Sequence, residues 1–200
     1  IAIITNKLEL LLESQHLNNQ DAETIAEVIN IADRLKKLNN TLLLLTKIEN
    51  KQFLDEQPVC INSIVKETLL NLQDFIDYKN ITISFEENNE LTIKINNSLA
   101  EILISNLIKN AIFHNVKNGN ISIQIKKQKI TICNSGISNA LDSKSVFNRF
   151  AKDQSKTQST GLGLAVCKTI CNLYDSSILY EFIDKKHCFS VNFKNTISSI

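Results

Sequence analysis

The sequence predicts an α+β fold: an N-terminal antiparallel helical hairpin, then a two-layer α/β sandwich with a mixed sheet and its helices on one face. Apolar residues recur every three or four positions over the first fifty residues, then every second position in several stretches beyond Pro58. Strands of that second kind have one apolar face, so helices are expected on that face alone. The predicted domains are residues 1–55 and 56–200.

The hairpin is predicted from two amphipathic stripes. Asn18 or Asn19 would cap the second helix, because an asparagine side chain can accept a hydrogen bond from a free N–H of the first turn. Two helices leave much of such stripes uncovered, so we expect a homodimer whose hairpins form a four-helix bundle. The alternative is packing against the rest of the same chain. The apolar positions are Ile1, Ile4, Leu8 and Leu11, then Val28, Ile31, Leu35, Leu38, Leu42 and Leu45.

The composition excludes several classes of protein. With 22 basic and 21 acidic residues, the chain has no overall field to attract nucleic acid, so any anionic ligand must be held locally. No apolar run is long enough for a membrane span and no signal segment is present. Because the sequence begins at Ile1 already inside a helical pattern, we expect a fragment of a longer protein. Five cysteines, Cys60, Cys133, Cys167, Cys171 and Cys188, are expected to be free thiols in a reducing compartment.

The second domain is predicted to contain three helices and six strands. The single proline, Pro58, is interpreted as part of a linker. Helices are expected over Ile64–Tyr78, Ser98–His114 and Gly161–Tyr174. The strands are "ITISFE" from Ile81, "LTIKIN" from Leu91, "ISIQIK" from Ile121, "KITIC" from Lys129, "ILYEFI" from Ile178 and "CFSVNF" from Cys188.

Two asparagines stand out in the helix "EILISNLIKNAIFHN". Asn106 and Asn110 lie one turn apart within an apolar pattern, although asparagine is a poor residue for a helix interior. An amide oxygen is a neutral, hard ligand, suited to a magnesium ion that arrives with phosphate oxygens. The alternative is a solvated polar face. His114, one turn later, is by itself typical of an exposed or capping histidine.

The motif "NSG", Asn134 to Gly136, follows a strand. It is either a plain turn or a site that recognises the edge of a flat ligand through the asparagine side chain. The polar segment 137–160 that follows is long for an ordered connection, which indicates a lid or a mobile loop. Phe147 and Phe150 are expected to anchor it. Its cations, which would otherwise be ordinary solvated surface, could grip an anion: Lys144, Arg149, Lys152 and Lys156.

The stretch "TGLGL", Thr160 to Leu164, opens the last helix. Glycines at a helix N-terminus let a phosphate chain approach bare N–H groups, where the helix dipole also favours negative charge. One such pair is weak evidence by itself. The ordered set of paired asparagines, "NSG", paired phenylalanines and "TGLGL" is strong evidence for a nucleotide site.

This ordered set resembles the catalytic, ATP-binding domain of sensor histidine kinases, within the superfamily shared with Hsp90, MutL and type II topoisomerases. The resemblance covers Pro58 to Ile200, and the hairpin resembles the dimerisation and histidine-phosphotransfer domain of these kinases. "NLIKNAIFHN" looks like the asparagine box, "NSG" the first glycine box, "VFNRF" the phenylalanine box and "TGLGL" the second glycine box.

The resemblance implies a role for each matched residue. Asn110 would coordinate Mg²⁺ on the ATP phosphates with Asn106 beside them, and His114 would contact the nucleotide. Asn134, where most members have an aspartate, would accept a hydrogen bond from the adenine amino group, with Gly136 next to it in the same motif. Lys152 would reach the terminal phosphate. The triphosphate would be capped by Thr160, Gly161, Leu162, Gly163 and Leu164.

The resemblance also shows departures. Phe113, Ser138 and Ser159 replace a basic residue and two glycines of the family pattern. The phosphoacceptor histidine would lie just before Ile1, and His16 does not match it, so this chain is not expected to phosphorylate itself. A nucleotide-free dimerisation module is one alternative. The other, an ATP-hydrolysing machine, is disfavoured because Asn106 stands where those relatives carry a water-activating glutamate.

The resulting prediction is the catalytic portion of a protein-histidine kinase in two-component signalling. It would transfer the ATP γ-phosphate to a hairpin histidine, from which the phosphate passes to an aspartate of a response-regulator receiver domain. ATP and Mg²⁺ are the implied cofactors. The resemblance implies that this is the cytoplasmic part of an inner-membrane sensor protein, attached to the membrane only through segments upstream of Ile1.

Overall fold

The computed structural model describes residues 2–13, 18–136, 139–151, 160–194 and 196–197. The chain divides into two compact units, Ile1–Thr46 and Lys47–Ile200, which are described separately below. Both predicted parts of the α+β fold are present, because a helical hairpin precedes a mixed sheet with its helices. The predicted fold class is therefore confirmed.

The first unit consists of helix α1 (Ala2–Leu12) and most of helix α2 (Asn19–Glu49). The side-chain oxygen of Asn18 accepts the N–H of Asp21 at 2.8 Å, so the cap predicted for the second helix is Asn18. A stripe of large apolar residues along α2 stays exposed, each between 37% and 54%: Val28, Ile31, Leu35, Leu42 and Leu43. In the described part of the chain, no helix is both long and apolar enough to cross a bilayer.

The main sheet of the second unit has five strands in the order β2-β4-β5-β7-β6. β2 pairs with β4 in parallel and the other pairs are antiparallel, so the sheet is mixed as predicted. Alternate residues of β4 and β5 are buried, on the face that the helices cover. The strands are β2 (Thr82–Glu87), β4 (Asn120–Lys126), β5 (Lys129–Ser135), β6 (Ser177–Ile183) and β7 (Lys186–Asn192).

A second, three-stranded sheet has the order β1-β3-β8. It consists of β1 (Gln57–Cys60), β3 (Thr92–Ile95) and β8 (Thr196–Ile197). The linker expected around Pro58 was therefore wrong, since Pro58 lies in β1 opposite Lys94. A proline cannot donate to a ladder, but β1 is an edge strand, where that loss is tolerated.

Among the helices of the second unit, the first one differs most from the sequence prediction. The helix expected over Ile64–Tyr78 is two helices, α3 (Ile61–Asn71) and α4 (Gln73–Lys79), because Leu72 leaves the helical conformation at φ −110° and ψ 12°. Leu72 is buried, so its side chain packs into the core while the chain changes direction.

The two helices that carry the asparagine and glycine motifs are α5 (Asn97–Phe113) and α6 (Gly163–Leu173). Helix α5 is capped by Asn96, whose side chain accepts the N–H of Leu99. It packs against α3, α6 and β5, and α6 packs against β6. One face of α5 is therefore fixed in the core by Leu103, Leu107 and its other buried residues.

The prediction that all five cysteines are free thiols was wrong for two of them. Cys133 of β5 and Cys188 of β7 lie directly opposite each other and form a disulfide. The two cysteines are 55 positions apart in sequence, and only the strand order brings them together. Cys60, Cys167 and Cys171 are free. Burial raises the pKa of the Cys171 thiol to about 12, so this thiol stays protonated and unreactive at neutral pH.

Candidate nucleotide site

One of the paired asparagines of α5, Asn106, lies beside Gly163 at the start of α6. Asn106 and Asn110 are both half-buried on the same strip of α5. A Cβ atom placed on Gly163 would lie 3.5 Å from the side-chain oxygen of Asn106. The helix strip that carries both amides therefore faces the first turn of α6, where backbone N–H groups have no partner within the helix.

The two glycines of "TGLGL" differ in whether the backbone requires a glycine. Gly161 has φ +69°, a conformation that disfavours any other residue, and an added Cβ would lie 3.1 Å from Cα of Phe150. Gly163 has no positive φ, and a Cβ there would meet Asn106 only at ordinary contact distance. The fold thus requires Gly161, whereas at Gly163 it tolerates a Cβ, in ordinary contact with Asn106.

The remaining residues of this motif surround the start of α6. Leu162 is fully buried and is the N-cap residue of the helix, without a side-chain capping bond. Thr160 and Leu164 are half-buried on either side. Because no side chain caps the first turn, its N–H groups remain able to bind an anion.

Asn134 lies near the end of β5 and is 2% exposed. Its amide nitrogen donates to the carbonyl oxygen of Ser135 at 2.9 Å, an orientation assigned from this hydrogen bond. The amide oxygen is then the atom that can accept a hydrogen bond from an amino group. Gly136 follows at the strand end, where a Cβ would lie 2.7 Å from Cδ2 of His187.

A polar network, which the sequence analysis missed, connects the end of α5 to the end of β5. The hydroxyl of Ser135 donates to the side-chain oxygen of Asn115 at 2.8 Å and accepts the N–H of Asn120 at 2.7 Å. Asn115 is 8% exposed and also donates to the carbonyl of Asn120. This network brings the asparagine helix and "NSG" to one place. The one available signal was Ser135 itself, the middle residue of "NSG".

Lys79, also missed, fixes the C-terminal end of α5. Its ammonium group donates to the carbonyl oxygens of Ile112, Phe113 and Asn115 at 3.0, 2.9 and 3.3 Å. A cation at this position satisfies carbonyls that the helix leaves without partners and complements the helix dipole. His114, the C-cap residue of α5, is exposed at this same end.

The segment 139–151 lies between the two glycine motifs. Val146 is buried, and the Phe147 ring packs edge-on against Phe189 at 6.2 Å, so Phe147 anchors the segment as expected. Phe150 is 58% exposed, so the expectation of a second anchor there was wrong. The backbone explains this, because Phe150 adopts φ +61° and donates its N–H to Gly161 while its ring points outward.

The charged groups of this segment make local contacts. Arg149 forms an ion pair with Glu49, so in this structure it does not serve as the anion-gripping cation expected of it. A hydrogen bond from the Ser145 side chain, followed by the Lys144 backbone N–H, lowers the pKa of Asp142. Lys144 itself is exposed. Lys152, Lys156, His16, Ser138 and Ser159 lie outside the described residues.

The described residues thus combine three chemical features. A buried amide lies at a strand end, a helix start without a side-chain cap carries a glycine, and a half-buried amide, Asn106, lies beside that helix start with Asn110 one turn further along α5. The first feature suits the edge of a flat heterocycle, the second a chain of phosphates, and the third a hard cation bound to phosphates.

Comparisons with known proteins point the same way. Residues 96–197 match the family described as histidine kinase-, DNA gyrase B-, and HSP90-like ATPase. The heme sensor protein HssS of Staphylococcus epidermidis is 28% identical over 91% of this chain, which spans 42% of that protein's length.

Two solved structures share the fold. The catalytic domain of histidine kinase ThkA is 25% identical, with a TM-score of 0.63 over 71% of this chain and 97% of its own. A complex of ThkA with response regulator protein TrrA matches at 22% identity and a TM-score of 0.68, over 96% of this chain and 57% of that one. The family match covers more than half of the 200 residues, from Asn96 to Ile197. This chain is therefore a member of the histidine kinase-, DNA gyrase B- and HSP90-like ATPase family.

Proposed function

We propose that this chain is the ATP-binding catalytic portion of a sensor histidine kinase. One observation carries the proposal: Asn106 of the asparagine helix lies against Gly163, the uncapped start of α6. Two motifs that are more than fifty positions apart in sequence thereby face one another. Membership of the ATPase family makes a nucleotide the natural ligand of that space.

The nucleotide would be bound from both ends. The Asn134 amide oxygen would accept from the adenine amino group, and Gly136 would let the base approach the strand end. Backbone N–H groups of Gly161 to Leu164 would bind the phosphates, since they lie at a helix N-terminus. Lys152 would add a cation at the terminal phosphate, and His114 a contact at the end of α5.

A magnesium ion fits the donor set on α5. Amide oxygens are neutral, hard ligands, and Mg²⁺ usually keeps most of its shell as water and phosphate oxygens. Asn110 would supply the one protein ligand, with Asn106 beside the phosphates. When bound, the ion would neutralise charge that develops on the transferred phosphate.

The reaction would be transfer of the γ-phosphate to a histidine of a dimerisation hairpin. This chemistry depends on placement and charge neutralisation more than on covalent help from side chains. The exposed apolar stripe of α2 would form the homodimer, and a response-regulator receiver domain would take the phosphate onward. One relative is named a heme sensor protein, and the similar structures are of the histidine kinase ThkA, one of them in complex with a response regulator. By analogy, these names support a role in signalling and a response-regulator partner. The chain would then act as the cytoplasmic part of a membrane-attached sensor.

A purely hydrolytic ATPase is less well supported. Activation of water needs a base within hydrogen-bond reach, and Asn106, the residue facing Gly163, is an amide without basicity. An amide at this position therefore favours transfer of the phosphate to a nucleophile held elsewhere over hydrolysis by water.

The first experiment is a titration of the chain with a fluorescent ATP analogue, with and without Mg²⁺. We expect saturable binding that weakens without Mg²⁺, and Asn110→Ala should lose the dependence on Mg²⁺. Asn97→Ala is the matched control, since Asn97 is another α5 asparagine whose amide only contacts Glu101. No binding at millimolar analogue would reject the proposal in favour of a passive dimerisation module.

A second experiment tests the transfer step. A longer protein that includes the expected acceptor histidine is incubated with radiolabelled ATP. Acid-labile label on that protein, absent after replacement of the histidine, is the expected result. Release of inorganic phosphate without protein labelling would instead indicate a hydrolase.

A further inference from the structure

A pair of buried polar side chains on β6 and β7 lies outside every motif discussed so far. Tyr180 is 7% exposed and His187 is 8% exposed. The Tyr180 hydroxyl and Nδ1 of His187 are 2.9 Å apart, and the backbone N–H of Leu141 donates to the same hydroxyl at 2.9 Å. A buried polar network of this kind is costly unless it is satisfied, so it restricts the position of each member.

The first consequence concerns Gly136. His187 lies opposite Asn134 in the β5–β7 ladder, and its ring occupies the space that a side chain on Gly136 would need. The ring is held on the other side by Phe182 at 5.0 Å and by Tyr180 at 6.0 Å. The imidazole therefore sets how the backbone passes the end of β5, next to the buried Asn134 amide.

The second consequence concerns the segment 139–151. The hydrogen bond to Leu141 fixes the beginning of this segment, and Phe147 packs on Phe189, which itself lies 5.0 Å from Tyr180. The far end of the segment is bonded to Gly161 through the Phe150 N–H. One cluster on β6 and β7 is thus connected to both glycine motifs.

The Tyr180 hydroxyl has two hydrogen-bond partners. Its oxygen accepts the Leu141 N–H, and its second bond, to Nδ1 of His187, can run in either direction according to the imidazole tautomer. A replacement at position 187 that keeps a group able to donate or accept near Nδ1 should therefore preserve the arrangement.

We propose that Tyr180 and His187 are positioning residues of the nucleotide site, holding Gly136 on one side and the segment that reaches Gly161 on the other. This inference rests on the proposed ATP-binding function. It assigns no contact with the nucleotide to either residue. Their effect would pass through the backbone of the two glycine motifs, and would appear as affinity.

The test uses the full 200-residue chain, a fluorescent ATP analogue with Mg²⁺, and four variants. His187→Leu removes the hydrogen-bonding group at Nδ1, and His187→Asn places an amide, which can both donate and accept, near that position. Tyr180→Phe removes only the hydroxyl. Glu181→Gln is the control, because Glu181 is the exposed neighbour on the other face of β6. We expect Kd to rise about threefold to tenfold for His187→Leu and Tyr180→Phe, as for loss of an ordinary hydrogen bond. His187→Asn should recover most of the affinity, and Glu181→Gln should match the unmodified chain.

Amide hydrogen exchange supplies a readout that needs no nucleotide. The Leu141 N–H should exchange faster in Tyr180→Phe than in the unmodified chain, while core amides such as that of Ile132 keep their protection. A general loss of structure would instead raise exchange at both positions, and Tyr180→Phe is conservative enough to separate the two.

The outcomes distinguish this inference from the proposed function. If the unmodified chain binds the analogue and His187→Leu binds it equally well, or His187→Asn fails to recover affinity, the positioning role is wrong. Unchanged Leu141 exchange in Tyr180→Phe would also overturn it. If the unmodified chain binds no analogue, the proposed function fails and this inference fails with it, whereas the Leu141 exchange still reports whether the contact exists.

Discussion

The substitution Gly163→Ala separates the folding role of a glycine from its binding role. Gly163 has no positive φ, so alanine fits the backbone, and its Cβ would lie 3.5 Å from the Asn106 oxygen and 3.8 Å from Cγ. These are ordinary contacts that cost no strain. Alanine also loses less chain entropy on folding than glycine, which should stabilise the free protein by about 0.4–1 kcal/mol.

Binding should change in the opposite direction. The added methyl group would lie between the first turn of α6 and Asn106, where on the proposed function phosphate oxygens approach the N–H groups. Loss of one charge-assisted hydrogen bond costs about 1.5–3 kcal/mol. That loss raises Kd by about 10-fold to 150-fold.

Two measurements on the same sample test this prediction. Urea unfolding gives the free energy of unfolding, and calorimetric titration with a non-hydrolysable ATP analogue and Mg²⁺ gives Kd. Stability should stay level or rise while affinity falls. Unchanged affinity would refute the reasoning, because phosphates would then not approach the helix start. A parallel fall of stability and affinity would show that Gly163 is needed for folding after all.

Three further predictions concern the framework around the site. Gly161→Ala should destabilise the fold by about 1–2 kcal/mol in urea unfolding, because its φ of +69° is unfavourable for alanine; equal stability to the unmodified chain would contradict this. Lys79→Met should cost about 1–3 kcal/mol by removing hydrogen bonds to the last carbonyls of α5, and unchanged thermal unfolding would count against that role. Alkylation of the unfolded chain without reductant should label three cysteines, with Cys133 and Cys188 joining them only after reduction, as read by mass spectrometry; five labels without reductant would rule out the disulfide.

The local parts of the fold were accessible from sequence because they depend on local physics. Period-two alternation predicted β4 and β5, since each of these strands buries only one face. The cap at Asn18 and the two helices with site motifs were also predicted from short patterns. The break at Leu72 was not, because its neighbours have ordinary helix propensities and tertiary packing determines the break.

Contacts between distant strands were beyond the sequence analysis. The disulfide depends on β5 and β7 being neighbours, and the Tyr180–His187 pair depends on the same strand order. Register cannot be read from one strand alone. Only a prediction of both the sheet order and the β5–β7 register would have placed Cys133 opposite Cys188, and hence Asn134 opposite His187.

The candidate site was predicted as motifs, and its framework was not. Asn106 and Gly163 were singled out from residue type and spacing, and the structure brings them together. Ser135 and Asn115 were missed because a serine and an asparagine in turns have many ordinary explanations. Only their burial and mutual hydrogen bond distinguish them, and both depend on the folded chain.

The short strand that contains Pro58 limits how copies of this protein can associate. An exposed sheet edge is a template on which another molecule can add a strand and begin to aggregate. β1 is four residues long and contains an imino acid without an N–H, so it is a poor template for such growth. Strand addition at this edge of the three-stranded sheet is thereby discouraged.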